Sequence, residues 1–171
     1  IMDALRKHPC IAVWVPFNEG WGQYNTVEIA NWTKQYDPSR LVNSASGGNF
    51  FADCGDIMDV HNYPEPKIYM LDRSKANVIG EYGGIGYAVE GHLWAPERNW
   101  GYIQFKSPDE VTDEYLRYID ILSNLAEIAY TGAVYTQTTD VEIEVNGLMT
   151  YDRKVMKVDP KRIAKANKEL I

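Results

Sequence analysis

The chain has 171 residues, 45% of them apolar and 24% charged, which is enough for a sizeable buried core. A formal net charge of −7 argues against nucleic-acid binding, which rests on clustered Lys and Arg. No apolar run is long enough to cross a bilayer as a helix, so neither a nucleic-acid nor a membrane partner is expected.

Residues 1–8 read as the tail of a helix with no N-cap, stopped by Pro9, so the start looks cut from a longer protein. Residues 11–17 begin as a continuous apolar run, Ile11-Ala12-Val13-Trp14-Val15, and end in Asn18-Glu19. A strand apolar on both faces is the mark of a central strand in a covered parallel sheet. Thr26 is expected to cap a helix over 27–36, with Ile29, Ala30, Trp32 and Thr33 near one face. A second strand is expected over 41–46, then a flexible Gly47-Gly48-Asn49. A third covers 57–62, closed by Tyr63-Pro64, and a short helix is expected over 66–72. The fourth strand, 77–81, is again apolar and again ends in a carboxylate, Glu81. Residues 83–107 form a long segment rich in aromatics (Tyr87, Trp94, Trp100, Tyr102, Phe105), and such long loops are commonly functional. Ser107-Pro108-Asp109-Glu110 opens the longest helix, expected over 110–131. A fifth strand follows at 133–138, a loop at 140–152 containing Asn146-Gly147, and a basic helix from Asp159-Pro160 to Leu170. Strands alternating with helices predict an α/β fold with a parallel sheet, in a single domain over 1–171. Cys10 and Cys54 form no CxxC and are expected as buried free thiols; the compartment stays open between periplasm, secretion and cytoplasm.

Glu19 and Glu81 each terminate an apolar strand, and parallel α/β folds place their chemistry at that edge. A lone strand-end Glu is most often just solvated. Two, with an aromatic segment beside them, match the needs of glycosidic bond cleavage, where one acid stays protonated and the other ionised. Trp21 is expected at the rim of the same pocket, stacking on a sugar or simply packing, and Trp14 and Trp32 in the core. Gly83-Gly84-Ile85-Gly86 lacks the spacing of a phosphate loop and instead suits a tight turn beside Glu81. His61 lies near Asp53, Asp56 and Asp59, but the spacing matches no standard ligand set, so no metal or cofactor is expected. Asp140, Glu142 and Glu144 alternate as on a solvated face.

Three motifs then carry a resemblance over essentially the whole chain. HPCIAVWVPFNEGWG resembles the fourth-strand signature of clan A retaining glycoside hydrolases, and VIGEYGG the seventh. GAVYTQTTDVEIEVNGLMTYDR is similar to the eighth-strand region of glycoside hydrolase family 2, which comprises β-galactosidases, β-glucuronidases and β-mannosidases. The resemblance implies a (β/α)8 TIM barrel truncated to about strands 4–8, with open sheet edges that predict self-association or local rearrangement. It implies Glu19 as general acid/base, Asn18 as the amide on the sugar 2-hydroxyl, and Glu81 as nucleophile. His61 and Tyr63, in HNYP, would flank the nucleophile and line the sugar subsite. Where the family carries a Trp at the end of the eighth strand, this sequence has Tyr135-Thr136-Gln137. That departure leaves the subsite floor, and so the sugar preference, open, with Gln137 expected among the substrate-binding residues and Trp94 or Trp100 as substitutes for the aromatic face. The implied activity is β-galactosidase-like double displacement on a terminal β-linked sugar, with carboxyl groups roughly 5–5.5 Å apart. A catalytically inactive or carbohydrate-binding remnant and a transglycosylase are the alternatives.

Overall fold

The computed structural model describes residues 1–48 and 50–170; Asn49, expected in the flexible glycine stretch, lies outside the described residues. The chain divides into two units. The first comprises Ile1–His61, Ile68–Gly80 and Ala129–Gly132, and the second Asn62–Lys67, Glu81–Ile128 and Ala133–Ile171.

The first unit contains α1 (Met2–Leu5), β1 (Val13–Trp14), α2 (Thr26–Tyr36), β2 (Leu41–Val42), β3 (Ile57–His61) and the start of β4 (Ala76–Gly83). β1 and β2 pair in parallel, Val13 with Leu41 and Trp14 with Val42. The strand expected over 11–17 is cut short because Pro16 has no N–H to give the ladder. Pairing resumes beyond it, where Ser46 N–H donates to the Phe17 carbonyl at 3.0 Å and Glu19 N–H to the Ser46 carbonyl at 2.6 Å. Trp14 is buried while Val15, just beyond β1, is exposed, so the apolar run does not bury both faces as its composition predicts. α2 buries Thr26, Ala30 and Thr33, one stripe at helical spacing. Its N-cap is Asn25, in the left-handed region and without a side-chain cap; Thr26 donates instead to Gln23 Oε1 at 2.8 Å. Trp32 falls outside that stripe, is 54% exposed and stacks on Tyr36 at 5.1 Å, which corrects its expected place in the core. Val42, Ala30 and Cys54 form a small core with Phe51 packed on it. Both cysteines are free thiols; Cys54 is buried as expected, whereas Cys10 is exposed. Residues 66–72 form no helix. Pro64 and Pro66 hold the residues before them extended, and the remaining stretch is too short to nucleate a helix.

In hydrogen-bonding order the larger sheet runs β3-β4-β7, with β7 spanning Gly132–Thr136. The second unit takes the ends of β4 and β7 and adds β5 (Ile85–Gly86), β6 (Ile103–Gln104), α3 (Pro108–Ala126) and α4 (Pro160–Glu169). β5 and β6 pair in parallel inside the segment expected as loop. Ser107 caps α3, its Oγ accepting from Glu110 N–H at 3.3 Å, while Glu110 Oε2 accepts from Lys106 N–H at 2.8 Å. α3 stops at Ala126 rather than 131, since past Leu122 it buries nothing that would hold another turn. Asp159 caps α4 through Lys161 and Arg162 N–H, at 2.8 and 3.2 Å.

Beneath the end of β4 lies an aromatic cluster. Tyr82 meets Tyr118 and Tyr135 edge-on at 6.3 and 5.6 Å, and Tyr115 meets Tyr135 at 5.1 Å. The segment after β7 is pinned by a buried ion pair. Lys157 Nζ donates to Asp140 Oδ1 at 2.7 Å and to the Val145 carbonyl at 2.8 Å. Asp140, expected on a solvated face, is therefore buried. Burial pushes its carboxyl up and the Lys157 amine down, and their mutual contact opposes both shifts.

Candidate active site

Glu19 follows the short β1 at a φ of 52°, in the left-handed region that non-glycine residues rarely adopt. Its N–H is tied to the Ser46 carbonyl, and its own carbonyl accepts from the Gln23 side chain. The chain thus holds the glutamate in an unfavourable backbone conformation, a pattern that clusters at functional sites. Glu19 Oε1 lies 3.0 Å from His61 Nδ1. The Glu19 side chain is 43% exposed and that of His61 only 6%, so a solvent-reachable acid leans on a buried ring. Behind the ring, His61 Nε2 is 2.8 Å from Ser46 Oγ, which donates to Asp59 Oδ2 at 2.7 Å. Asp59 also accepts from Asn43 Nδ2 at 2.6 Å and from Gly80 N–H at 2.7 Å. Asn18 is exposed and bridges Ser46 in parallel. Trp21 is 74% exposed, which decides against plain packing and leaves it as a surface aromatic.

In the second unit Tyr63 Oη donates to Glu81 Oε2 at 2.5 Å. Burial first, and then this bond to a carboxylate, raises the Tyr63 phenol above its usual range, so it stays a donor. The Tyr63 ring stacks on Tyr102 at 4.1 Å with the planes 4° apart, and Trp100 meets Tyr102 edge-on at 5.3 Å. The two glycines after Glu81 are required by space as well as by dihedral. Gly83 has φ 114° and a Cβ there would fall 2.5 Å from the Tyr135 ring. Gly84 has φ 69° and its Cβ would fall 2.4 Å from the Tyr102 ring. Trp94 is exposed, with its ring edge-on to Tyr151 at 5.6 Å. Gln137 takes Leu148 N–H on its carbonyl at 3.2 Å, and its buried Nε2 has no hydrogen-bond partner among the described residues.

The model for glycosyl hydrolases family 2, TIM barrel domain, matches residues 1–161. The chain belongs to that family. Two relatives named "Beta-galactosidase", one from Klebsiella pneumoniae and one from Klebsiella pneumoniae (strain 342), are each 40% identical over 48 residues, 28% of this chain. The matched stretch spans about 5% of the length of each relative. A TIM barrel domain accounts for the parallel pairing of β1 with β2. It also gives meaning to where the acids and their partners lie. Glu19 follows β1, His61 is the last residue of β3, and Glu81 stands near the end of β4. Strand C-terminal ends are where this fold carries its chemistry.

Within the first unit the structure joins Glu19 to His61, and within the second it joins Tyr63 to Glu81. Ser46 and Asn43 are contacts that the sequence reading did not single out, and Tyr102 stood out only as one aromatic of the long segment. Asp59 had a readable signal, since on a strand residues i and i+2 share a face and Asp59 therefore sits beside His61. Ser46 and Asn43 had none, being ordinary polar residues brought in by the continuation of β2.

Proposed function

We propose that this family 2 domain serves a retaining glycoside hydrolase that releases terminal β-linked sugars, β-galactosides first among them, by double displacement, with its strands taking positions four to eight of the barrel. In the first step Glu81 attacks the anomeric carbon and the glycosidic bond breaks as Glu19 protonates the leaving oxygen. In the second, water deprotonated by Glu19 attacks the same carbon and releases Glu81. Asn18 binds the 2-hydroxyl, while His61, Tyr63, Trp21, Trp94 and Gln137 contribute to the sugar subsite. The observation that carries the reading is the phenol of Tyr63 set on Glu81 Oε2 at 2.5 Å, which orients that carboxylate as a nucleophile. The partial identity to two proteins named "Beta-galactosidase" supports the choice of sugar.

The test is covalent trapping. An activated 2-deoxy-2-fluoro-galactoside should add one fluorosugar mass to the protein, located by peptide mass spectrometry on Glu81. Glu81→Gln should take no label, and Glu19→Ala should regain turnover of an activated galactoside when azide is added. A label on another carboxylate, or products of inverted configuration, would overturn the assignment. Sugar binding with neither label nor turnover would mark a carbohydrate-binding domain, and dominant transfer to an added sugar acceptor would mark a transglycosylase.

A further inference from the structure

The chain of contacts behind Glu19 does more than hold it. We infer that Ser46 and Asp59 are positioning residues that keep a proton on His61 Nε2, so that His61 Nδ1 and Glu19 hold one transferable proton between them before the acid step. This deepens the reading of Glu19 as acid/base and rests on it.

Asp59 Oδ2 faces the Asn43 amide at 2.6 Å and Oδ1 faces the Gly80 N–H at 2.7 Å, and both of those groups donate. Asp59 is thereby an acceptor, and the hydroxyl of Ser46, 2.7 Å from the same Oδ2, gives it a third hydrogen. A serine has only one hydrogen to give. Its oxygen can then only accept from His61 Nε2 at 2.8 Å, so that nitrogen carries the proton. The Asp59 carboxylate reinforces this, since its Oδ1 lies 4.0 Å from the same nitrogen. With Nε2 protonated, the 3.0 Å contact between Nδ1 and Glu19 Oε1 needs one more hydrogen. It resides on Glu19, facing a neutral imidazole, or on Nδ1, as imidazolium facing carboxylate. Either way the pair stores the proton that the acid step spends. The opposite tautomer, with hydrogen on Nδ1 alone, would hold Glu19 as a carboxylate with nothing to donate.

The balance closes over both steps. As the C1–O bond breaks and the Glu81–C1 bond forms, the stored proton passes to the leaving oxygen. As water attacks C1 and the bond to Glu81 breaks, the water proton returns to the pair.

The backbone is shaped around this line of groups. A Cβ at Gly80 would fall 2.2 Å from both Asp59 oxygens. One at Gly47, where φ is +95°, would fall 2.6 Å from His61 Nδ1. Ser46 serves at both ends, with its carbonyl on Glu19 N–H and its hydroxyl between His61 and Asp59.

Two measurements test it. The first is the 15N NMR spectrum of the ring nitrogens in histidine-labelled protein, which has only 3 histidines to assign. His61 should show a protonated Nε2, and in Ser46→Ala the signal should move toward the Nδ1-protonated form. The second is kcat/KM on a dinitrophenyl glycoside, whose leaving group needs no proton, against a methyl glycoside, whose leaving group does. Ser46→Ala and Asp59→Asn should lower the methyl substrate about tenfold or more beyond any loss on the dinitrophenyl substrate, and Ser46→Thr should restore the ratio. An Nδ1–H tautomer in the unmodified protein would overturn the inference without any variant. So would an unchanged substrate ratio in the two variants. Either result with the fluorosugar still trapped on Glu81 would leave the hydrolase reading standing, whereas failure to trap would strike that reading itself.

Discussion

Two aspartates, Asp59 in the first unit and Asp140 in the second, are each 4% exposed, and each has a glycine pressed against it. Their partners differ. Among the described residues, Asp59 accepts hydrogen bonds from neutral groups, namely an amide, a hydroxyl and a backbone N–H. Asp140 takes Gly147 N–H at 2.8 Å but is matched chiefly by the Lys157 ammonium. Neutral donors satisfy a buried carboxylate without cancelling its charge, so Asp59 can still bias the imidazole of His61. A cation closes the charge on itself, and Asp140 and Lys157 together lock the segment after β7. One buried acid thus serves the site and the other serves the fold.

The largest effect should come from breaking the closed pair. Lys157→Met leaves the Asp140 carboxylate buried without its cation, at a cost of about 3–5 kcal/mol. That is a large share of the stability of an ordinary domain. Urea unfolding should show a matching fall in midpoint, and Asp140→Leu added to Lys157→Met should recover part of it because the stranded charge is gone. A single variant as stable as the parent would show that the pair does not hold this segment.

The open counterpart is probed at Gly80. In Gly80→Ala the new methyl falls on both Asp59 oxygens, so the carboxylate must leave its donors. Overpacking and a weakened network should together cost about 1–3 kcal/mol. On the proposed reading, glycosidase activity should fall further than that loss of folded protein accounts for, by about tenfold. Gly147→Ala makes the matching change beside Asp140, where a Cβ would fall 2.1 Å from the Asp140 backbone nitrogen. It should lower stability and leave the activity of the remaining folded protein in proportion. Equal patterns in the two variants would erase the distinction between the aspartates.

That distinction was only partly legible in the sequence. The five expected strands all occur, because apolar runs and turn residues report burial and chain reversal directly. Their lengths did not, because Pro16 breaks a ladder inside an apolar run. Glu19 and Glu81 stood out because each ends such a run. The partners of Glu19 were hidden for a physical reason: Ser46 reaches His61 and Asp59 through separations of 15 and 13 residues, set by strand pairing and not by local pattern. The alternation Asp140, Glu142, Glu144 suggested a solvated face because nothing local announces Lys157, 17 residues further on. Glycine spacing carried more than it first suggested: Gly80, Gly83, Gly84 and Gly147 all sit where a side chain would collide with a functional or buried group.

A third aspartate combines both kinds of partner and sharpens the comparison in acid. Asp37 accepts from the Ser39 hydroxyl at 2.6 Å, the Trp14 indole at 2.9 Å and the Arg40 guanidinium at 2.6 Å. Led by the Ser39 bond, these hold its carboxyl down to about 2 from an ordinary 3.8. A carboxyl lowered by folding stabilises the folded state fully above its unfolded value, and the contribution is lost as pH falls toward the folded one. The window is therefore from about pH 4 down to about pH 2. Asp37→Asn removes the titration while leaving an amide oxygen for the Trp14 indole. Urea midpoints of parent and variant should run parallel above pH 4 and converge below it, the parent losing stability that the variant never had. The same Arg40 also reaches the carbonyls of Ile11, Arg6 and His8, so the change should be felt first in the segment leading into β1. Curves that stay parallel down to pH 2 would mean that Asp37 gains nothing from folding, and that its three donors only orient Arg40.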